Sequence, residues 1–317
     1  MVTGSLFDFP FRTRLAESLA TLARDRIYIG GSSWKYEGWL DQIYTRSNYL
    51  SRGRFSKKIF EAECLREYTR TFPTVCGDFS FYQFPSESFW ERLFRQAPAG
   101  FQFAFKVPEQ ITCKVFPVHA RYGAQGGMEN PSFLDSALLL EGFLRPLELY
   151  QDKISALIFE FGTFARSLFS GAHAFVERLD PFLEQLPRHF RYAVEIRNEE
   201  FLESEYFECL GSHQVAHVFN AWARMPELKY QMAIPESFTA DFMVSRALLR
   251  RGRPYEQAVK LFSPYSDIQD PNPEVRASLR ELIDRARESR RAAYIYVNNR
   301  LEGNAPATIL AIVDQHS

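Results

Sequence analysis

Eight strand-length apolar runs, separated by longer stretches of helical spacing, constrain this chain more than anything else in it. The runs occupy residues 26–31, 72–79, 100–106, 153–159, 191–196, 214–219, 241–246 and 291–297, and most are rich in β-branched or aromatic residues. Between them, apolar side chains recur three and four apart: Ile59, Phe60, Cys64, Leu65 and Tyr68 within 56–72, and Leu134, Leu138, Leu139 and Phe143 within 132–150. The same spacing holds for Phe175, Val176, Leu179, Phe182 and Leu183 within 171–186, and for Val275, Leu279, Leu282 and Ile283 within 272–289, where Pro273 suits a first helical position. Strands that alternate with helices pair in parallel through right-handed crossovers. Eight of them in 317 residues predict an α/β fold of the (β/α)8 TIM-barrel type. An open doubly wound sheet would carry a glycine fingerprint at its first turn, and Gly30-Gly31-Ser32-Ser33 is a poor version of one.

No repeat or linker divides the chain, so the expected organisation is one barrel over residues 26–317 behind an N-terminal extension, 1–25. The extension holds Leu6, Phe7, Phe9 and Phe11 before a helical stretch at 13–24. Two polar segments read as insertion loops on the active-site side: 42–58, with Arg46, Arg52, Arg54, Lys57 and Lys58, and 113–131, with Gly123, Gly126 and Gly127. The formal charge of −1 argues against nucleic-acid binding by bulk charge. No apolar run reaches the ~18 residues of a membrane helix, and the first 26 residues lack a signal-peptide pattern. Four scattered cysteines, Cys64, Cys76, Cys113 and Cys209, read as reduced thiols, so the expected compartment is the cytoplasm.

Barrels place chemistry at the carboxyl ends of their strands. Every exit here is polar or aromatic. Strand one leads to Trp34, Tyr36 and Trp39, strand two to Asp78 and Tyr82, strand three to Lys106 and strand four to Glu160. Strand five carries Glu195 and Arg197, strand six leads to Asn220, strand seven to Arg246 and strand eight to Asn298 and Asn299. Strand alternation turns Lys106, Glu195 and Arg197 inward near the mouth, where buried charges must pair. An ion pair there serves structure or ligand binding equally well. No histidine stands at a strand end, there is no P-loop or Gly-x-Ser-x-Gly elbow, and His213 and His217 lack the surroundings of a zinc motif. Neither metal nor cofactor is expected.

The chain resembles the YecE-like family, the domain of unknown function 72, from Ile27 to Asp314. The likeness is carried in order by residues 29–34 (IGGSSW) with Trp39, Phe81-Tyr82 with Pro85, and 100–106 (GFQFAFK) with Ile111-Thr112. It continues through 193–198 (AVEIRN) and 296–299 (YVNN) with Ala305-Pro306. The resemblance implies a (β/α)8 barrel and brings no established activity. Against the family pattern, Cys76 and Asp78 replace a Glu and an Asn, Cys113 and Asn198 replace histidines, and Asn220 replaces an Asp, while Lys106, Arg197 and Arg246 are kept.

The expected function is that of an enzyme or binding protein with a cationic, aromatic-lined pocket for a phosphorylated or other anionic small molecule. Lys106, Arg197 and Arg246 would hold the anion, with Trp34, Tyr36, Trp39, Tyr82, Asn220, Asn298 and Asn299 around it. Glu195, Asp78 and Glu160 would serve as acid or base. Two alternatives stay open: a nucleic-acid-binding module using the basic 42–58 segment, and a catalytically degenerate scaffold that holds a protein partner.

Overall fold

The computed structural model describes residues 9–314, so Leu6 and Phe7 lie outside the described residues. Eight parallel strands close into a barrel. They are β1 (Ile27–Gly31), β2 (Thr74–Gly77), β3 (Gln102–Lys106), β4 (Ile154–Glu160), β5 (Tyr192–Glu195), β6 (Ala216–Ala221), β7 (Phe242–Ala247) and β8 (Ala292–Val297). Each falls within, or a residue or two beyond, one of the eight apolar runs.

The strands are apolar on both faces because both are covered. Outward residues such as Phe103, Phe105, Leu157, Phe159, Val194, Phe219 and Ile295 join the core under the helices. Inward residues form a separate core in which Ala104, Ala156, Ala193 and Ala216 leave room for Phe242, Tyr294 and Tyr296.

Closure between β1 and β2 rests on little ladder, with Gly31 opposite Val75. A Cβ on Gly30 would lie 2.0 Å from the Thr74 carbonyl oxygen, so the approach of these strands requires glycine there. The Tyr68 hydroxyl bridges the gap, accepting from Gly31 N at 2.8 Å and donating to Thr74 O at 3.0 Å. The paired glycines of the first strand thus serve barrel closure.

Helix α1 (Pro10–Arg24) buries Leu15, Leu19 and Leu22 in the outer core, and Arg12 reaches the buried Glu67 at 3.0 Å. The last long helix, Pro273–Ser289, starts on Pro273 with Asn272 capping Val275 N, and ends at Arg290 in the left-handed conformation. The 132–150 stretch departs from one regular helix. It makes a short α-turn at Ser136–Leu139, a wide π-turn at Leu140–Leu144 and a 3-10 run at Arg145–Lys153. Pro146 supplies no N–H to the ladder, which slips at that point. No described helix is long and apolar enough to cross a membrane.

Candidate functional site

At the carboxyl mouth the inward face of the strands changes from apolar to charged. Two residues beyond Ala104, Ile158, Ala193 and Val244 stand Lys106, Glu160, Glu195 and Arg246, and Arg197 continues the face past the end of β5. Parallel register sets Glu160 beside Glu195.

These five side chains form one buried network. Glu160 Oε2 accepts from Lys106 Nζ at 3.0 Å and Arg246 Nη1 at 2.6 Å, while Oε1 pairs with Arg197 Nη2 at 2.9 Å. Glu195 Oε1 accepts from Arg197 Nη2 at 3.1 Å and Nε at 3.3 Å, and its other oxygen accepts from Arg246. Arg197 lies over the Trp222 ring at 3.8 Å, and the Lys106 ammonium is 3.6 Å from the centre of Phe81. Three cations thus share two carboxylates.

Burial alone would raise the Glu160 carboxyl, but the charges of Arg197, Lys106 and Arg246 hold it well below the usual carboxylate range. Burial pushes Lys106 down, with Arg246 and Arg197 adding to the effect and Glu160 opposing it. The Cys76 thiol, buried in the barrel, is pushed up to about 11 and stays protonated.

Above the network opens a cavity of about 660 Å³. Lys106, Glu160, Arg197 and Arg246 line its floor, joined by Asp78, Ser32 and Asn298. Lys114 and Arg300 add two further cations, and Tyr82, Phe116, Val118 and Tyr255 form apolar walls. Among the described residues, five cations line the cavity against the carboxylates of Asp78, Glu109 and Glu160, with Glu195 behind. Arg121 pairs with Glu109 from outside the lining, so the balance is two positive charges in excess.

The family model for "Protein of unknown function DUF72" matches residues 28–317. The chain belongs to the DUF72 family. Its barrel is similar to the crystal structure of a DUF72 family protein (TM1631) from Thermotoga maritima, at 20% identity and a TM-score of 0.61, covering 92% of this chain and 98% of that one. It is also similar to a DUF72 family protein (EF0366) from Enterococcus faecalis, at 15% identity and a TM-score of 0.58, covering 91% and 95%. These likenesses establish the fold. No curated protein matches the chain.

Within this DUF72 barrel the residues singled out in the sequence part into two groups. Asp78, Tyr82, Lys106, Glu160, Arg197, Arg246 and Asn298 meet at the cavity, with Glu195 fully buried beneath Arg197 and Arg246. Trp34, Tyr36, Trp39, Asn220 and Asn299 do not line it. Trp34 packs edge-on to Phe79 and borders a groove between outer helices. Trp39 is fully buried and donates Nε1 to Asn299 Oδ1 at 3.2 Å. The same Asn299 oxygen accepts from Ala305 N at 2.7 Å, tying the end of β8 to the final helix. Tyr36 packs on Trp39 and Tyr265, and its hydroxyl is pushed up to about 12 by burial. Asn220 donates to Ile196 O at 3.1 Å and its backbone is clasped by Gln231. A strand-exit position alone could not separate these structural polar groups from cavity groups.

Phe81, Trp222, Tyr255 and Arg300 at the site were outside the expected set. Phe81 is the residue before Tyr82, Trp222 the second after Asn220 and Arg300 the one after Asn299, all beside strand exits, whereas Tyr255 opens the helix Tyr255–Phe262 and carries no strand-exit signal. Of the two insertions, 113–131 reaches the cavity through Cys113, Lys114, Phe116 and Val118, and 42–58 does not. In the latter, Arg46 pairs with Asp41 at 3.2 Å and Lys57 with Glu37 at 3.6 Å.

Metal-ligand types gather, among the described residues, in one cluster away from the mouth: Asp180, Cys209 and His213. There His213 Nε2 is 2.7 Å from Asp180, and its Nδ1 lies 3.3 Å from Arg188. Both ring nitrogens are therefore engaged. His217 stands apart from this cluster, its Nδ1 3.1 Å from the Tyr206 hydroxyl, and burial pushes its imidazole down to about 4.

Proposed function

We propose that this chain binds a small molecule bearing a phosphate or carboxylate group, held by Lys106, Arg197 and Arg246 at the barrel mouth. The observation that carries this reading is the charge excess in a buried network. Three cations against two carboxylates leave one positive charge with incomplete compensation, and an anion entering the cavity completes it. Arginine forks match phosphate and carboxylate oxygens in the plane. Lys114 and Arg300 support the approach of an anion, and Tyr82, Tyr255 and Val118 suit a ligand whose remainder is flat or apolar.

In this reading Glu160 and Glu195 orient the cations. Glu160 is held ionised by its three partners and is a poor proton donor at neutral pH. Asp78 lines the cavity and makes no ion pair among the described residues, so the acid–base role falls to it.

The test is thermal denaturation with inorganic phosphate, sugar phosphates and small carboxylates at low salt. A ligand at ~100 times its Kd adds about 2.7 kcal/mol, and the expected result is a rise in Tm that Lys106→Met diminishes. Absence of a shift with every anion overturns the reading.

A further inference from the structure

We infer that Lys106 is a nucleophilic amine that forms a covalent imine with a small aldehyde or keto acid entering the mouth cavity. The inference shares the charge excess with the anion-binding reading but asks something different of it. The excess disappears when an anion binds, and it also disappears when Lys106 gives up its proton, leaving Arg197 and Arg246 matched by Glu160 and Glu195. Arginine cannot lose its proton under these conditions, so Lys106 is the one member of the network able to relieve the imbalance from within. Lys106 is 6% exposed, and its burial favours the neutral amine, as do the Arg246 and Arg197 charges near by, while the Glu160 carboxylate and the Phe81 ring face favour the ammonium. Desolvation beside other cations activates a lysine as a nucleophile. The side chain nonetheless lines the cavity, so a small carbonyl compound can reach it.

The step balances without an added oxidant or reductant. The Nζ lone pair attacks the carbonyl carbon, forming C–N as the C=O π pair moves to oxygen. A proton passes from nitrogen to that oxygen, giving a carbinolamine, which loses water to leave C=N. Protonation of the imine restores the positive charge, and Glu160, 3.0 Å from Nζ, is placed to stabilise it. The ligand class is a compact carbonyl compound, with a carboxylate where Arg197 is to hold it.

The experiment incubates the full chain at pH 7 with glyoxylate or glycolaldehyde and cyanoborohydride, which reduces an imine to a stable secondary amine. Peptide mass mapping then follows each lysine over time. The expected result is modification of Lys106 at least tenfold faster than the exposed Lys57 and Lys229, dependent on both reagents. Modification of Lys106 no faster than of these two, or preferential modification of Lys114, overturns the inference. The measurement uses the unaltered protein, so a folding defect in a variant cannot decide it. A phosphate thermal shift on the same sample separates the two readings. Labelling of Lys106 without a shift removes anion binding and keeps the amine, and a shift without labelling does the reverse.

Discussion

Lys106 and Arg246 differ in what their loss leaves behind. Removing Lys106 leaves two arginines on two carboxylates, whereas removing Arg246 takes a partner from both Glu160 and Glu195. A buried pair broken on one side costs about 3–5 kcal/mol. Arg246→Met is therefore expected to lose that much in urea denaturation, and Lys106→Met less than about 1.5 kcal/mol, within the range of volume-conserving core changes. Equal losses would show that the charge count does not govern the network. Glu160 supplies a second expectation at this scale. Its folded value lies below its unfolded one, so its stabilisation is present above the ordinary carboxylate range. It is lost as pH falls through about 4.3 and further down. Urea unfolding from pH 6 to pH 3 should show stability falling, with a slope shallower in Glu160→Gln by up to about 1.4 kcal/mol per pH unit. Lys106, Glu195 and Arg197 were legible in sequence because a strand of period two points alternate residues inward, so position along the strand fixes their side, whereas Glu160 and Arg246 were legible only as strand-exit residues. Asn220 and Asn299 look the same in sequence, yet Gln231 clasps one and the other caps a helix. Those contacts come from residues 11 and 6 positions away that only the folded chain aligns.

Among the elements, the 113–131 loop gives the cavity a wall and holds its shape through Asn130. The buried Asn130 amide donates to Gln110 O and Cys113 O, each at 2.7 Å, and its oxygen accepts from Ser132 N at 3.0 Å. Val115 and Glu129 pair across the loop as an isolated bridge. Asn130→Ala leaves two backbone carbonyls short of a donor and is expected to destabilise by about 1–3 kcal/mol. It should also speed tryptic cleavage after Arg121 in the native state, and unchanged cleavage would mean the loop is held elsewhere. The strands were readable because each is a short apolar run bounded by polar or glycine-containing segments. The 132–150 stretch was less so, since apolar spacing reports which face is buried and not which hydrogen-bond ladder the backbone keeps around Pro146.

On the scale of the molecule, α1 lies outside the eight-stranded closure but buries its apolar face in the same core as the outer strand residues. Leu19 is fully buried there, so Leu19→Ala is expected to cost about 2–5 kcal/mol. Its urea transition should remain single and its phosphate response unchanged, because the helix does not line the cavity. A separate, earlier transition would show that α1 unfolds on its own. By itself the sequence determined the barrel: eight inward-and-outward apolar runs with helical stretches between them admit few arrangements that cover both faces of every strand. It also determined that Lys106, Glu195 and Arg197 crown the inward face, since alternation is a local property. Only tertiary structure decided which aromatics line the cavity, because Trp34 and Trp39 are buried by neighbours distant in sequence while Tyr82, Trp222 and Tyr255 converge on the mouth from the segments after three different strands. The charge excess was likewise settled by folding, for it depends on which carboxylates come within 4 Å of which cations, and parallel register across β3, β4, β5 and β7 fixes that.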